Sequence, residues 1–316
     1  MGQLGFIVTG IALMSHLGWV AALYMTVNHF LFKGILFLSV AGVILRTNER
    51  LMYRMGGLIK NMPFTFVATM IAIIAMSGVP PLTGFGGKWL LFNAIMEKGW
   101  YWLAALAFFS SAVAFLYMFR LLQTVFLGQR KLEHAQLREA PAILLVPQFV
   151  LIAIIMVFSA YPKLLLDPLS TAISPWLGGS LVWDGLALQT HLGYWNAPMI
   201  MGVVAGVWMV PLIFLLLMSL TLKIQKVEQF NIVFAAERPH RPEDTHFAYN
   251  FFAHYDRALG FLVKPRATAF WKTAVEWSHT LAASLRIFYN GNGQTYTLHI
   301  VIYLVALYLV NGGLQQ

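Results

Sequence analysis

The sequence predicts an all-α polytopic membrane protein with about six or seven transmembrane helices, one of them broken, and an amphipathic helix on the cytoplasmic side. Hydrophobic residues make up 59% of the 316-residue chain and charged residues only 10%, and the mean hydropathy is +0.71. Because about a quarter of the residues of a soluble domain are charged, this chain has too little polar side chain to cover a surface facing water. Apolar stretches of bilayer-spanning length recur along it, and its lysines and arginines are concentrated in alternate loops.

The apolar stretches follow one another with polar connections between them. Residues 2–13 are too short to span a bilayer alone, whereas residues 17–45 form a long span. Residues 63–78 and 87–97 form one span with an interruption in it. The remaining spans are residues 100–127, 141–161, 198–222 and 295–310.

Two of the connections have features of their own. Residues 162–196 carry few basic residues, and we expect Trp176, Trp183 and Trp195 at the depth of the lipid headgroups. Between residues 251 and 288, aromatic and aliphatic residues recur at helical spacing, which predicts an amphipathic helical stretch. Such a stretch lies on a membrane surface or a partner subunit, or it is a packed connector without a role of its own.

The lysines and arginines predict how the chain is oriented. They are concentrated in the loops at 46–60, 120–138 and 223–286, and the opposite side carries only Lys98 and Lys163. Such a bias places the basic loops in the cytoplasm. It also accounts for the formal charge of +9 without nucleic acid as a partner. We therefore expect an integral protein of a bacterial or archaeal cytoplasmic (inner) membrane.

Bond-making chemistry is not expected of this chain. Cysteine is absent, which excludes disulfides, thiolate metal sites and cysteine nucleophiles. The sequence contains no phosphate loop, dinucleotide fingerprint, metal-ligand cluster or nucleophile triad. We therefore expect no catalytic residues, no cofactor and no metal in this subunit.

The stretch SGVPPLTGFGGKWLLF at 77–92 predicts a helix that stops and starts again beside Lys88. Prolines lack the backbone N–H, and glycines accept dihedral angles that other residues avoid. Non-helical backbone at membrane depth is tolerated only where protein or a water-filled cavity surrounds it. The alternative is a loop at the membrane surface with a snorkelling lysine. The residues expected to break the helix are Pro80, Pro81, Gly84, Gly86 and Gly87.

Three ionisable residues within the spans are candidates for ion translocation: Lys33, Lys88 and His29. A charged side chain at the centre of a membrane helix costs roughly 2.5–3.5 kcal/mol on insertion scales, so it is a functional candidate by default. His29 lies one helical turn before Lys33 on the same face, and histidine titrates near neutral pH. Two further histidines, His16 and His299, are secondary candidates, for which a structural hydrogen bond is the better interpretation.

Four segments resemble the antiporter-like proton-conducting subunits of complex I, Mrp antiporters and energy-converting hydrogenases. They are QLGFIVTG (3–10), VNHFLFKGILFLSVAGVI (27–44), SGVPPLTGFGGKWLLF (77–92) and, more loosely, LYMFRLLQTVFLG (116–128). The resemblance implies that His29 and Lys33 line a hydrated path at mid-membrane. It also implies that Lys88 exchanges the proton at the end of the outward half-channel, where some family members have glutamate.

The resemblance covers only the second half of a family member, and the chain opens in what looks like the middle of a family helix. We therefore expect a separate chain that supplies the N-terminal antiporter half and packs against residues 1–20, although a lost or truncated half is also open. The regions expected are an antiporter-like half-module at 1–160, an extracytoplasmic loop and span at 161–222, a cytoplasmic amphipathic segment at 223–290 and a C-terminal transmembrane helix at 291–316.

The function expected is translocation of protons or Na⁺ through a buried lysine and histidine relay, within a redox-driven or antiport complex of several membrane subunits in a lipid bilayer. A structural scaffold subunit of such a complex is the main alternative, in which the buried lysines only hydrogen-bond to carbonyl groups. A secondary transporter is a third, and it predicts acidic or hydroxyl ligands at the helix break. Only Ser77 and Thr83 offer such groups there.

Overall fold

The computed structural model describes residues 2–127, 132–134, 136–221, 253–260, 266–288 and 291–310. The chain divides into two compact units, Met1–Tyr249 and Asn250–Gln316. The helices of the first unit are α1 (Gly2–Ala12), α2 (His16–Thr47), α3 (Pro63–Ser77), α4 (Thr83–Glu97), α5 (Tyr101–Leu122), α6 (Ala142–Ala160), α7 (Lys163–Leu177) and α8 (Ala197–Thr221). Its strands are β1 (Val182–Asp184), β2 (Ala187–Thr190) and β3 (Gly193–Asn196). The second unit contains α9 (Ala253–Leu259), α10 (Arg266–Phe288) and α11 (Gly293–Val310).

Among the described residues, five helices are long and apolar enough to cross a membrane: α2, α5 with its continuation to Leu127, α6, α8 and α11. The interrupted span is the pair α3 and α4, each 15 residues long, and α1 is a shorter apolar helix. The predicted fold class, an all-α polytopic membrane protein with a broken helix, is confirmed.

Helix α2 is the centre of the first unit, and α1, α3, α4, α6 and α7 all pack against it. Two apolar clusters lie along its length. One includes Ile35 and Met76 and joins α2 to α3 and α6. The other includes Tyr24 and Leu90 and joins α2 to α4, α7 and the sheet. The break between α3 and α4 lies where one cluster gives way to the other, on the side of α2 that carries His29.

One end of the first unit is fastened by Glu139, which precedes α6. Its carboxylate accepts hydrogen bonds from the backbone N–H of Phe64 (2.8 Å) and from the hydroxyl of Thr65 (2.6 Å), in the first turn of α3. The Arg46 side chain, at the end of α2, donates to the backbone carbonyl of Glu139 (2.8 Å). A carboxylate at a helix N-terminus satisfies unpaired N–H groups and opposes the positive end of the helix dipole. The basic loop after α2 and the basic loop before α6 therefore share one end of the unit.

The connection at 162–196 is more ordered than the interfacial loop that the sequence predicts. It forms α7 and an antiparallel sheet in which β2 lies between β1 and β3. Trp183 donates from Nε1 to the Asp167 carboxylate (2.7 Å), and Trp195 is 4% exposed. The strands are only three or four residues long, which is too short for an alternating pattern to be recognised. Of the three tryptophans expected at headgroup depth, Trp195 is buried against α4, and the depth itself stays a prediction.

In the second unit, α10 carries residues of the expected amphipathic stretch. Phe270, Trp277, Leu281 and Leu285 on this helix are all more than half exposed. An apolar helix face of this kind suits a membrane surface. The part of the amphipathic segment from 223 to 252 lies outside the described residues.

Candidate functional site

The site begins with the interruption between α3 and α4. Helix α3 ends at Ser77, and Gly78 follows with a positive φ of 75°. The N–H groups of Gly78 and Val79 bond to the carbonyls of Ala75 and Ile74. Because the two prolines that follow have no N–H, the last carbonyls of α3 are left for side chains to bind.

Lys88 uses this free end of α3. Its side chain is 4% exposed, and Nζ donates to the carbonyl oxygen of Ser77 (2.7 Å) and to the hydroxyl oxygen of Ser111 on α5 (2.6 Å). The Ser111 hydroxyl lies 3.3 Å from the same carbonyl. The ring of Phe6 on α1 lies 5.3 Å from Nζ, at the distance of a cation–π contact. The C-terminal end of a helix carries partial negative charge, so α3 stabilises the ammonium group without a carboxylate.

Two glycines make room for this arrangement. A Cβ atom on Gly78 would lie 2.6 Å from Cδ of Lys88. A Cβ atom on Gly84 would overlap the carbonyl oxygen of Ala75. Gly78 and Gly84 therefore allow α4 to lie directly against the end of α3, with the Lys88 side chain between them.

Gly84, Gly86 and Gly87, which were expected to break the helix, lie within α4. Gly86 and Gly87 support packing further from the lysine. The indole ring of Trp195 lies where a side chain on Gly86 would be, and Met25 and Tyr24 lie where a side chain on Gly87 would be. Because these positions have no side chain, the sheet and α2 can pack closely against α4. The Pro80–Pro81 pair, joined by a cis peptide bond, forms the connection itself.

His29 and Lys33 line a cavity of about 520 Å³ beside the helix break. Both side chains are half-buried and lie one turn apart on α2. Gln3 and Met76 lie at the wall of the same cavity, on α1 and α3. The polar side chains in this wall, among them Gln3, His29 and Lys33, together with the volume suit a cluster of water molecules. The full lining is Gln3, Leu4, Thr26, His29, Phe30, Lys33, Phe37, Met76 and Tyr117.

The remaining histidine candidates are not among the residues that line this cavity. His16 opens α2, and its Nε2 is within hydrogen-bond distance of the Ser170 carbonyl and hydroxyl on α7 (3.3 and 3.1 Å). Its thirteen-residue separation from His29 corresponds to about 20 Å along the helix. His299 lies on α11 in the second unit. His16 therefore fastens α2 to α7, as the structural interpretation expects.

Several residues of the site were not predicted from the sequence. Ser111 follows another serine, Ser110, in a largely apolar span. These two adjacent serines are the sequence feature that could have indicated a polar contact here. Gln3 lies in a short apolar helix, and its side chain donates to the Met76 carbonyl (3.2 Å). Asn28 is 2% exposed, and its amide nitrogen lies 3.5 Å from the Thr83 carbonyl oxygen. These contacts join residues distant in the sequence, so no local pattern indicates them.

Comparison with known proteins identifies the architecture. Residues 1–114 match the family model described as NADH:quinone oxidoreductase/Mrp antiporter, TM. The chain is 30% identical over 207 residues to a Na(+)/H(+) antiporter subunit of Alkalihalophilus pseudofirmus, an alignment that covers 59% of this chain and 25% of the relative. It is 41% identical over 98 residues to formate hydrogenlyase subunit 3 of Escherichia coli, which covers 30% of this chain and 16% of that relative.

The fold is similar to a chain in the structure of the membrane-bound sulfane sulfur reductase, an archaeal respiratory membrane complex. The TM-score is 0.70 and the identity 25%, over 98% of this chain and 55% of that one. This chain thus spans a quarter or less of the two relatives named above. The matched segment includes the helix break, His29, Lys33 and Lys88. Residues 1–114 are therefore similar to the antiporter-like membrane subunits of the NADH:quinone oxidoreductases and Mrp antiporters, and the fold of the chain is similar to that of a subunit of an archaeal respiratory membrane complex.

Proposed function

We propose that this chain is an ion-translocating membrane subunit of a larger redox-driven or antiport complex, and that it carries protons, or Na⁺, through a relay of His29, Lys33 and Lys88. One observation carries the proposal. An amine, Lys88, is buried at a helix break on a carbonyl and a hydroxyl, next to a cavity lined by two more titratable side chains. Ionisable groups at this depth are costly, and their common use in membrane proteins is ion transfer.

In the proposed route, a proton enters the cavity and is taken up by His29 and Lys33. It passes through water to the end of α3 and reaches Lys88, from which it leaves on the other side of the membrane. A change of charge elsewhere in the complex would drive each transfer, because a nearby positive charge favours release of a proton from an ammonium group. The basic loops would face the cytoplasm in this arrangement.

Replacement of each lysine tests the proposal. We expect Lys88→Ala and Lys33→Ala to lower ion transport by about a hundredfold, the scale of a positioned proton-transfer group. Transport is measured in inverted membrane vesicles that contain the assembled complex, with dyes sensitive to pH and to Na⁺. Lys98→Ala is the matched control, because Lys98 follows the same helix and is exposed. Unchanged transport in Lys88→Ala would refute the relay.

The scaffold alternative rests on one specific observation, the hydrogen bond from Lys88 to the Ser77 carbonyl. It predicts that Lys88→Ala lowers the thermal stability of the complex but leaves coupled transport intact. Lys88→Met, which keeps most of the side-chain volume, separates the two functions. Transport lost at unchanged assembly supports the relay, and transport retained supports the scaffold.

We also propose that another membrane subunit closes the cavity at its side. Phe30 and Phe37 are each 72% exposed, and Leu4 is 50% exposed, so the rim of the cavity is apolar. Lipid tails could cover these rings but cannot solvate the ammonium of Lys33. A separate chain that carries the N-terminal antiporter half is the partner that the sequence predicts here.

Because the chain has no cysteine, a single Phe30→Cys variant provides a specific cross-linking site. We expect a photoreactive maleimide at this position to capture a membrane subunit of the complex. The control is Leu220→Cys on α8, which is 76% exposed. Capture of lipid alone at position 30 would rule out a protein cover.

A further inference from the structure

The cavity and the surroundings of Lys88 are two separate compartments. Lys88 does not line the cavity that contains His29 and Lys33. The boundary between them is formed by α1 and the C-terminal end of α3, because Gln3 and Met76 line the cavity whereas Phe6 and Ser77 contact Lys88. A route that uses both compartments must therefore be interrupted at this boundary.

Gln3 occupies the cavity side of the boundary. It is 8% exposed, lines the cavity, and its amide donates to the carbonyl oxygen of Met76 (3.2 Å). The next carbonyl along α3, that of Ser77, accepts the hydrogen bond from Nζ of Lys88 (2.7 Å). The amide of Gln3 and the ammonium of Lys88 thus bind consecutive carbonyls of the same helix end.

Phe6 occupies the Lys88 side of the boundary. It lies three residues after Gln3, on the same face of α1, and it is 5% exposed. Its ring lies 5.3 Å from Nζ of Lys88. The face of an aromatic ring stabilises an ammonium group but gives a water molecule little to bond to, so this side of Lys88 is dry.

We propose that Gln3 and Phe6 are positioning residues of the translocation route that control whether water connects the cavity to Lys88; this inference rests on the proposed function. The arrangement described here is the closed one, with the Gln3 amide on the Met76 carbonyl and the Phe6 ring on Lys88. When the route opens, a water molecule replaces the Gln3 amide as the donor to the Met76 carbonyl. The Gln3 bond joins two neutral groups, so it is weaker than a hydrogen bond to a charged group. The carbonyls of Met76 and Ser77 then line a continuous wet path from His29 to Lys88.

Passive proton flux tests the inference. The assembled complex is reconstituted into liposomes, a pH gradient is imposed without the driving reaction, and the internal pH is followed with a fluorescent dye. We expect Gln3→Ala and Phe6→Ala each to raise the passive flux several-fold, because both remove a barrier. Val8→Ala is the control on the same helix, since Val8 is 62% exposed. Assembly is checked by co-purification of the partner subunits, and Phe6→Leu replaces Phe6→Ala if the latter fails to assemble.

The double variants decide whether the added flux uses the relay. If Gln3 and Phe6 control access to Lys88, then Gln3→Ala combined with Lys88→Ala returns the passive flux to the wild-type level. A raised flux that persists in the double variant indicates a disrupted fold and overturns the inference, as does unchanged flux in both single variants. The proposed function fails separately, if Lys88→Ala alone leaves driven transport unaltered.

Discussion

Within the part of the chain that the structure describes, Lys88 has no carboxylate partner, so other groups hold its charge. These partners differ in how readily the sequence indicates them. A lysine in an apolar run next to paired prolines and glycines stands out at once. Its acceptors do not, because Ser77 and Ser111 are 11 and 23 residues away and both lie on other helices. Phe6, near the start of the sequence, is even more distant from Lys88 along the chain. The residue at the centre of the site could thus be predicted, whereas its surroundings required the packing of α1, α3 and α5.

Gly78 allows a direct test of that packing. Gly78→Ala places a side chain at a positive φ, at a cost of about 1–2 kcal/mol, and also presses Cβ against the Lys88 side chain. Gly99→Ala carries the same backbone cost at φ 72° but meets no neighbour within 4 Å. We expect a larger loss of thermal stability in detergent for Gly78→Ala, together with loss of transport. Equal effects of the two variants would mean that Lys88 does not depend on the space at Gly78.

Ser111 is expected to contribute to both stability and transport. Ser111→Ala removes a hydrogen bond to a charged group, which contributes about 1.5–3 kcal/mol. Ser110→Ala is the control, because Ser110 is the adjacent serine and Lys88 binds Ser111 instead. The measurements are the melting temperature of the purified complex and its rate of ion transport. A melting temperature no lower in Ser111→Ala than in Ser110→Ala would contradict the contact.

At the scale of elements, the spans were predictable and their attachments were not. Long apolar runs indicate α2, α5, α6 and α8 because a bilayer fixes the length that a helix needs. The sheet was missed since its strands are short and its hold on α4 comes from distant residues. The Thr190 hydroxyl donates to the Asn93 side chain (2.7 Å), and the Trp195 ring lies over Gly86. Likewise, the carboxylate that caps α3 comes from Glu139, 75 residues beyond Phe64.

The sheet is expected to hold α4 through Trp195. Trp195→Ala removes a ring that is 4% exposed, and a buried tryptophan contributes about 3–5 kcal/mol. Trp176→Ala is the control, because Trp176 is 86% exposed. Protease resistance of the connection between α7 and α8 and the melting temperature should both fall only in Trp195→Ala. Equal behaviour of the two variants would show that the sheet is not anchored at Gly86.

At the scale of the whole molecule, the two ends of the first unit carry different chemistry. One end joins the basic loops through Arg46 and Glu139. Toward the other, α7 and the sheet meet the start of α2 and the second half of α4, through His16 and Asn93. Hydropathy and charge predict two sides in different environments, because both patterns follow from the bilayer rather than from contacts within the protein. Which side is cytoplasmic stays a prediction.

Orientation in the membrane follows as a prediction that single cysteines can test. In the cysteine-free chain, Arg50→Cys lies in a basic loop and Leu186→Cys lies in the turn between β1 and β2; both positions are exposed. We expect a membrane-impermeant maleimide to label position 186 in intact cells and position 50 only in inverted vesicles. The reverse pattern would place the basic loops outside the cytoplasm.

Ser111 can bind the Lys88 side chain both before and after the ammonium group loses its proton. The hydrogen of a hydroxyl group can rotate about the C–O bond, so a hydroxyl can either donate or accept a hydrogen bond. A neutral amine has a lone pair where the ammonium group had a hydrogen. With the ammonium form, Ser111 accepts from Nζ and turns its own hydrogen toward the Ser77 carbonyl. With the neutral form, that hydrogen swings to the amine, and Nζ keeps its bond to the carbonyl. The hydrogen bonds among Lys88, Ser111 and the Ser77 carbonyl are therefore complete in both charge states. An ionised carboxylate could not replace Ser111 in this way, because it only accepts hydrogen bonds.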